Sequence, residues 1–365
     1  MKIVVIAPNW VGDMMMTQSL FRTLKVLYPN IIIDVMASNW CYELLKKMPE
    51  VHDYILMPLN HGSLAFFQRH KIGINLRHKN YDKAYILPNS FKSALIPFFA
   101  NIPLRIGWCG ENRYWLINDM RVLKSIAFPQ MVQRYVALAY PKDLVNNADS
   151  IPKPILWPKI SVSDSEKIKS KKKFYVSNKL PIIGICPGSG AGLAKCWPYY
   201  HYAKLTELLY SIYGYQILIF GSKLDYDIGY AIWKLLSLNC QYHCLNLVGK
   251  TTLNEAVNLL ASCVAVVTND SGLMHIAAAL NIPIIALYGP TNPNFTPPLS
   301  NKVKIIHIAI NNDKKRIVKI NRNNIYHKSL IDIKPAQVIN ELINLLELEN
   351  CNHNESINYK NIING

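Results

Sequence analysis

The sequence predicts an α/β protein of two Rossmann-like domains facing a central cleft, and three observations lead there. The chain has 365 residues, more than one hydrophobic core usually serves, so two domains of about 150 to 200 residues are expected. Short apolar runs alternate with helix-length amphipathic segments through both halves, the pattern of parallel-sheet α/β domains. Junctions between those runs carry glycine and small polar residues, as binding loops at the carboxyl ends of parallel strands do.

The first domain is expected over residues 1–160. Ile3 to Ala7 reads as a buried strand, Pro8 to Asp13 as a turn, and Met14 to Leu27 as a helix that Pro29 stops. Ile31 to Met36 and Lys83 to Leu87 are further buried strands. The opening residues lack the longer apolar stretch and cleavage site of a secretory signal, so no export is expected. Ala94 to Ile106 is broken by two prolines and is too short for the roughly 20 residues of a spanning helix.

Residues 141–178 hold four prolines and a lysine run with little periodicity, and 161–178 is expected to be the linker. The second domain is expected over 179–332. Ile182 to Cys186 is a strand, Trp197-Pro198 opens a helix with proline at its first position, and Gly214 closes it. Tyr215 to Phe220, Val264 to Thr268 and Ile284 to Leu287 are strands, and Thr252 to Glu255 is a capping box that starts a helix near Leu253. Val338, Leu342, Leu345 and Leu346 have helical spacing over 333–349. The Asn-rich tail 350–365 is expected to be disordered.

Half of the residues are hydrophobic, which excludes a largely disordered chain. Eight cysteines show no C-x-x-C spacing, and reduced thiols are the simplest reading. Cys240 and Cys244 flank His243 but lack a second ligand pair, so a structural role is expected and no metal site. The net charge of +17 implies attraction to nucleic acid, anionic lipid or a phosphorylated substrate without choosing among them. Much of the excess lies in Lys167 to Lys173 and Lys314 to Lys319, which read as solvated faces; no nucleic-acid partner is expected.

Three strand-to-helix loops are the candidates for chemistry. The first is Asn9-Trp10-Val11-Gly12-Asp13, where Gly12 permits a tight turn and Asp13 is a helix cap or a catalytic carboxylate. The second runs from Pro187 to Lys195, with Ser189, small residues, free amides and one lysine, as a diphosphate site requires. It is neither a Walker loop nor a G-x-G-x-x-G. The third, Thr268 to His275, places Asp270, Ser271 and Gly272 before the small-residue run Ile276 to Leu280. Asp270 or Ser271 can cap that helix while amides point at an anion, or the segment is an ordinary cap with His275 a satisfied residue.

Together these residues resemble the ADP-heptose:lipopolysaccharide heptosyltransferases, glycosyltransferase family 9, and most closely the branch that adds the second heptose. The resemblance is carried by NWVGDMMMTQSLFRTLK from Asn9, YILPNSFKSALIPFFA from Tyr85, TNDSGLMHIAAALNIPIIALYGPTNPNFTPPLS from Thr268 and YHKSLIDI from Tyr326. It covers nearly the whole chain to about Leu348.

The resemblance implies the GT-B architecture: an amino-terminal acceptor domain, a nucleotide-sugar domain, and a carboxyl-terminal helix that returns to the first domain. It implies a metal-independent inverting transfer with no cofactor, ADP-heptose being a substrate. Asp13 becomes the general base. Lys195, the turn Asp270-Ser271-Gly272 and the following helix meet the charge on the departing ADP, with Ser189 and His275 beside the phosphates and Asp225 at the ribose. Asn9, Trp10, Gly12, Asn89, Ser90 and Lys92 fall to the acceptor, a Kdo-lipid A carrying one heptose at the cytoplasmic face of the inner membrane. Arg105 and Arg113 are further cations for its phosphates and carboxylates, and Leu95 to Phe99 are either core or a membrane-touching patch. The family's usual loop arginine and glutamate are replaced here by Cys196 and Gly190.

The rivals are a transferase of the same family that adds the first heptose or a later branch, and a non-catalytic nucleotide-binding module. A Rossmann oxidoreductase fits less well, because no G-x-G-x-x-G follows the first strand.

Overall fold

The structure, a computed structural model, describes residues 1–59, 62–190, 192–309 and 326–348. The lysines within 314–319 and the tail 350–365 lie outside the described residues. The chain divides into two compact units, one of Met1–Ile160 with Asn294–Pro297, the other of Ser161–Pro293 with Pro298–Gly365.

The first unit holds β1 (Lys2–Ile6), β2 (Ile32–Ala37), β3 (Asp53–Leu56), β4 (Lys83–Ile86), β5 (Leu104–Trp108) and β6 (Asp119–Arg121), in the order β3-β2-β1-β4-β5-β6. The second holds β7 (Ile182–Cys186), β8 (Gln216–Ile219), β9 (Cys244–Asn246), β10 (Ala265–Asn269), β11 (Ile284–Tyr288) and β12 (Val303–His307), in the order β12-β11-β10-β7-β8-β9. All pairings are parallel; Val5 lies beside both Val35 and Tyr85, and Ile185 beside both Ile219 and Val267. Renumbered within its unit, the second sheet has the same order as the first. Each is therefore a Rossmann-like sheet whose chain order reverses at its middle, beside β1 and β4 in one and β7 and β10 in the other.

The central strands form because continuous apolar runs such as Ile3-Val4-Val5-Ile6 and Ile182-Ile183 can be covered on both faces. The strands that periodicity did not reveal are β3, β5, β6, β9 and β12. They are short and partly polar, as in Asp119-Met120-Arg121, and pairing with a neighbour makes them strands.

Three boundaries differ from expectation for local reasons. The first helix is Val11–Leu27, three residues longer at its start, with extended Trp10 at the cap position; Gly12 and Asp13 are inside its first turn. Pro198 occupies the cap position of helix Tyr199–Tyr213 instead of its first residue, while Gly214 closes it at φ 69. Within the expected linker, Asp164–Lys173 is a helix capped reciprocally by Ser163 and Glu166. Its interior buries Ser170 alone, which accepts from Asn258 Nδ2 at 3.2 Å, so no apolar stripe announces it. The lysines of that helix are accordingly a mostly solvated face.

The last described helix spans 335–348. Its buried side chains Val338, Ile339 and Leu342 join the core around Ile285, Leu287 and Ile306 of the second unit, and Glu341 pairs with Lys304 of β12 at 3.0 Å. Its apolar stripe thus packs on the second sheet.

Candidate active site

Four loops leave the carboxyl ends of the strands that flank the two switch points: those after β1 and β4 in the first unit, and after β7 and β10 in the second. In open parallel sheets these are the positions where backbone amides and helix starts meet ligands.

After β1, Asn9 accepts from Ser38 Oγ at 3.3 Å, and Trp10 stands 62% exposed. Asp13 is the third residue of the helix, and no side chain caps that helix; the reading of Asp13 as a cap is corrected. The positive end of the helix favours a carboxylate there. The buried Tyr135, on helix Met131–Ala137, has its hydroxyl in hydrogen-bonding contact with Asp13, and burial first, then that carboxylate, hold its pKa well above the usual range. Sequence reasoning missed Tyr135, whose spacing says only that it belongs to a core.

After β4, Ser90 occupies the cap position of a short turn, Phe91–Ala94, without a side-chain cap bond, and Asn89 is exposed. Lys92 is partly exposed, with no carboxylate at ion-pair distance among the described residues. Arg113 corrects an expectation. It is fully buried, and its two terminal nitrogens donate to Pro88 O, Ser90 O, Ser93 Oγ, Trp108 O and Asn89 Oδ1, while its Nε has no partner among the described residues. Burial lowers its pKa to about 10, which leaves it charged at neutral pH. Arg105 is likewise engaged, by Leu116 O at 2.7 Å and Ile102 O at 2.6 Å. Leu95 and Ile96 are core, whereas Phe98 is exposed.

In the second unit, the loop after β7 and the loop after β10 are tied together. Lys195 Nζ lies 3.0 Å from Asp270 Oδ2, a pair left 20% and 10% exposed. Buried Asn269 is the other tie. Its Nδ2 donates to Pro187 O at 2.7 Å, while its Oδ1 accepts from Trp197 N and from the Tyr202 hydroxyl, each at 3.0 Å. Asn269 sits inside the quoted motif, but a strand residue gave no sign of this work.

Ser271 occupies the cap position of helix Gly272–Ala279 without a side-chain cap bond; its Oγ is 3.3 Å from Thr268 Oγ1. The amides of the first turn at Gly272 are thus not capped by a side chain, as an anion site requires. His275, buried in that first turn, is held at a pKa of about 4, first by desolvation, with Asp270 opposing and Lys195 assisting. It is neutral at physiological pH, so it offers one donor and one acceptor and no charge.

Ser189 lies in the turn that its carbonyl closes with Gly192 N at 3.1 Å. Asp225, in the short turn Lys223–Asp225 that follows β8, accepts from Ser222 N at 2.8 Å and Ser222 Oγ at 2.7 Å. Its carboxylate presses on Gly188 so closely that a Cβ there would lie 2.3 Å from it. Cys196 is buried, its thiol pushed up to about 12 by desolvation, and its Sγ lies 3.6 Å from Gly192 O. The structure therefore brings Lys195, Asp270 and His275 together, sets Asp225 against the loop after β7, and turns position 196 into core. Among the described residues no cluster of His, Cys, Asp or Glu is arranged to hold a metal, and no helix is long and apolar enough to cross a membrane.

The family model for glycosyltransferase family 9 (heptosyltransferase) matches residues 69–327. The lipopolysaccharide heptosyltransferase 2 of Escherichia coli K12 is 54% identical over 95% of this chain and 99% of its own length. The lipooligosaccharide heptosyltransferase 2 of Haemophilus influenzae is 52% identical over 95% of this chain and 99% of its own. The solved structure of E. coli ADP-heptose lps heptosyltransferase II superposes with a TM-score of 0.88 at 51% identity, covering 96% of this chain and all of that one. The two parallel six-stranded sheets are thus GT-B-like.

Proposed function

The chain belongs to glycosyltransferase family 9, the heptosyltransferases, and from that membership we propose a division of labour among its loops for the transfer of heptose from ADP-heptose to the lipopolysaccharide inner core. The enzyme is a glycosyltransferase of the heptosyltransferase II type. The finer reading is that the acceptor is a Kdo-lipid A already carrying one heptose, held by Asn9, Trp10, Gly12, Asn89, Ser90 and Lys92 of the first unit. The donor is held by Ser189, Lys195, Asp225, Asp270, Ser271, Gly272 and His275 of the second.

In this reading Asp13 takes the proton of the acceptor hydroxyl as its oxygen attacks the anomeric carbon, with inversion, while the bond to the diphosphate breaks and ADP leaves. Lys195 and the uncapped amides at Gly272 meet the charge that grows on the leaving diphosphate, a term often worth several kcal/mol. The neutral His275 adds a hydrogen-bond donor without adding to that charge balance. Asp225 offers its remaining lone pairs to the ribose hydroxyls.

The observation that carries these roles is the placement of Asp13 and of the Lys195–Asp270 pair at the two switch points, each after the first or fourth strand of its sheet. A peripheral contact with the cytoplasmic face of the inner membrane belongs to the same reading. Helix Phe66–Leu76 exposes Phe66, Phe67, Lys71 and Ile74, and exposed aromatics beside a lysine suit an anionic lipid surface.

The deciding experiment incubates the purified protein with ADP-heptose and lipid A cores bearing no heptose or one heptose, and weighs the products. The expected product gains one heptose on the one-heptose core. Transfer to the heptose-free core alone favours the first-heptose rival, and ADP binding without turnover favours the non-catalytic one.

A further inference from the structure

Asn89 and Arg113 come from adjacent loops, after β4 and after β5, and they are built as a unit. The Arg113 guanidinium is fully buried, with no carboxylate at ion-pair distance among the described residues. Nη1 donates to Pro88 O at 2.6 Å, Ser93 Oγ at 3.0 Å and Ser90 O at 3.2 Å; Nη2 donates to Trp108 O at 2.6 Å and Asn89 Oδ1 at 3.1 Å. Glu111, close in sequence, is turned to Phe91 N at 2.9 Å.

The backbone of Asn89 has little freedom. Its carbonyl accepts from Glu111 N at 3.2 Å, and Gly110 packs so near that a Cβ there would stand 2.2 Å from it. What remains undetermined by the backbone is which end of the Asn89 amide faces out. A guanidinium carries donors alone, so it accepts the amide in one orientation, with Oδ1 inward. The opposite orientation would set N–H against N–H. The Nδ2 group therefore faces outward from an exposed residue, and no hydrogen-bond acceptor meets it among the described residues.

We propose that Arg113 is a positioning residue that locks the Asn89 amide with both N–H donors turned toward an acceptor sugar bearing carboxylate or phosphate oxygens, so that the pair helps set acceptor specificity. This rests on the reading that the first unit holds the acceptor. A neutral donor backed by a buried positive charge attracts anionic oxygens, while the cation is spent on holding the loop and cannot follow the ligand. A side chain that presented an oxygen at position 89 would repel the same acceptor.

Asn89→Asp separates recognition from folding, because the carboxylate keeps Arg113 as a partner and gains an ion pair. The expected result is a melting temperature equal to or above that of the parent protein, a rise of about tenfold or more in acceptor KM, and an ADP-heptose KM within about twofold of the parent. Asn89→Ala should raise acceptor KM by a smaller factor, about threefold to tenfold. Arg113→Lys releases the amide and should raise acceptor KM in the parent background but add little once residue 89 is alanine.

An unchanged acceptor KM in Asn89→Asp, or an equal rise in donor KM, overturns the proposal. So do additive effects of Arg113→Lys and Asn89→Ala. If Arg113→Lys does not fold, the Asn89→Asp result decides. The parent protein in the same assay tests the underlying reading separately: absence of transfer to the one-heptose core removes that reading and the proposal with it, whereas normal transfer with an indifferent Asn89→Asp removes the proposal alone.

Discussion

The two switch points hold their charged groups by opposite means. In the second unit Lys195 and Asp270 neutralise each other across two loops and stay partly exposed. In the first unit Asp13 contacts the hydroxyl of Tyr135, and the terminal nitrogens of the buried Arg113 are held by carbonyls, a hydroxyl and an amide. A partly exposed ion pair can exchange a partner when a more strongly charged ligand arrives, because its Coulomb gain in water is modest. A charge held by fixed neutral dipoles keeps its place. The difference suits the division proposed above, with a donor whose diphosphate changes charge during the reaction at the second unit and an acceptor whose hydroxyl has to be held still at the first.

The sharpest way to break this contrast is Asp13→Asn. Turnover should fall about a hundred- to ten-thousandfold, while the dissociation constant for ADP-heptose, measured by calorimetry, stays near that of the parent. Near-normal turnover would make Asp13 a helix-end charge and nothing more.

Next in size is Asn269→Ala, which leaves Pro187 O and Trp197 N without this partner and the Tyr202 hydroxyl with Cys186 O alone, at 3.4 Å. Unsatisfied buried groups cost about 1–3 kcal/mol each, so a clear drop in chemical-denaturation stability is expected, with weaker ADP-heptose binding. A stable variant with unaltered binding would show that the loops after β7 and β10 do not depend on this tie.

Lys195→Ala tests whether the partly exposed pair is re-partnered. Losing a charge-assisted hydrogen bond worth about 1.5–3 kcal/mol should lower kcat about ten- to hundredfold, with a smaller rise in donor KM. An effect confined to KM would place Lys195 in ground-state binding alone.

The smallest expected effect concerns His275. Burial sets its folded pKa at about 4, below the 6.5 of an exposed imidazole. Between those values the unfolded chain binds a proton that the folded chain refuses. Its contribution to stability is therefore complete above pH 6.5 and is lost as pH falls toward 4, with a slope approaching about 1.4 kcal/mol per pH unit. Denaturant titrations of the parent and of His275→Gln across that window should differ in slope; equal slopes would mean that the imidazole is not held neutral.

Much of this molecule was readable in one dimension. Continuous apolar runs such as Ile182 to Cys186 marked the central strands, Thr252 and Glu255 marked a helix start that is present as a capping box, and Asp13, Lys195 and Asp270 stood out because charged residues follow such strands. Local chemistry suffices there, since a run that is apolar on both faces has few other folds open to it. What the tertiary structure alone decided is which charges remain available. Arg113 and Arg105 read as ligands because arginine is usually exposed, yet backbone carbonyls engage both, and for Arg113 they include Pro88 O from the loop after β4. Cys196 became core, Tyr135 came to lie on Asp13, and Asn269 came to join two loops. Each of these depends on contacts between residues far apart in the chain, and such contacts leave no periodic trace in the sequence, because the partner is chosen by the sheet order and not by the neighbours along the backbone.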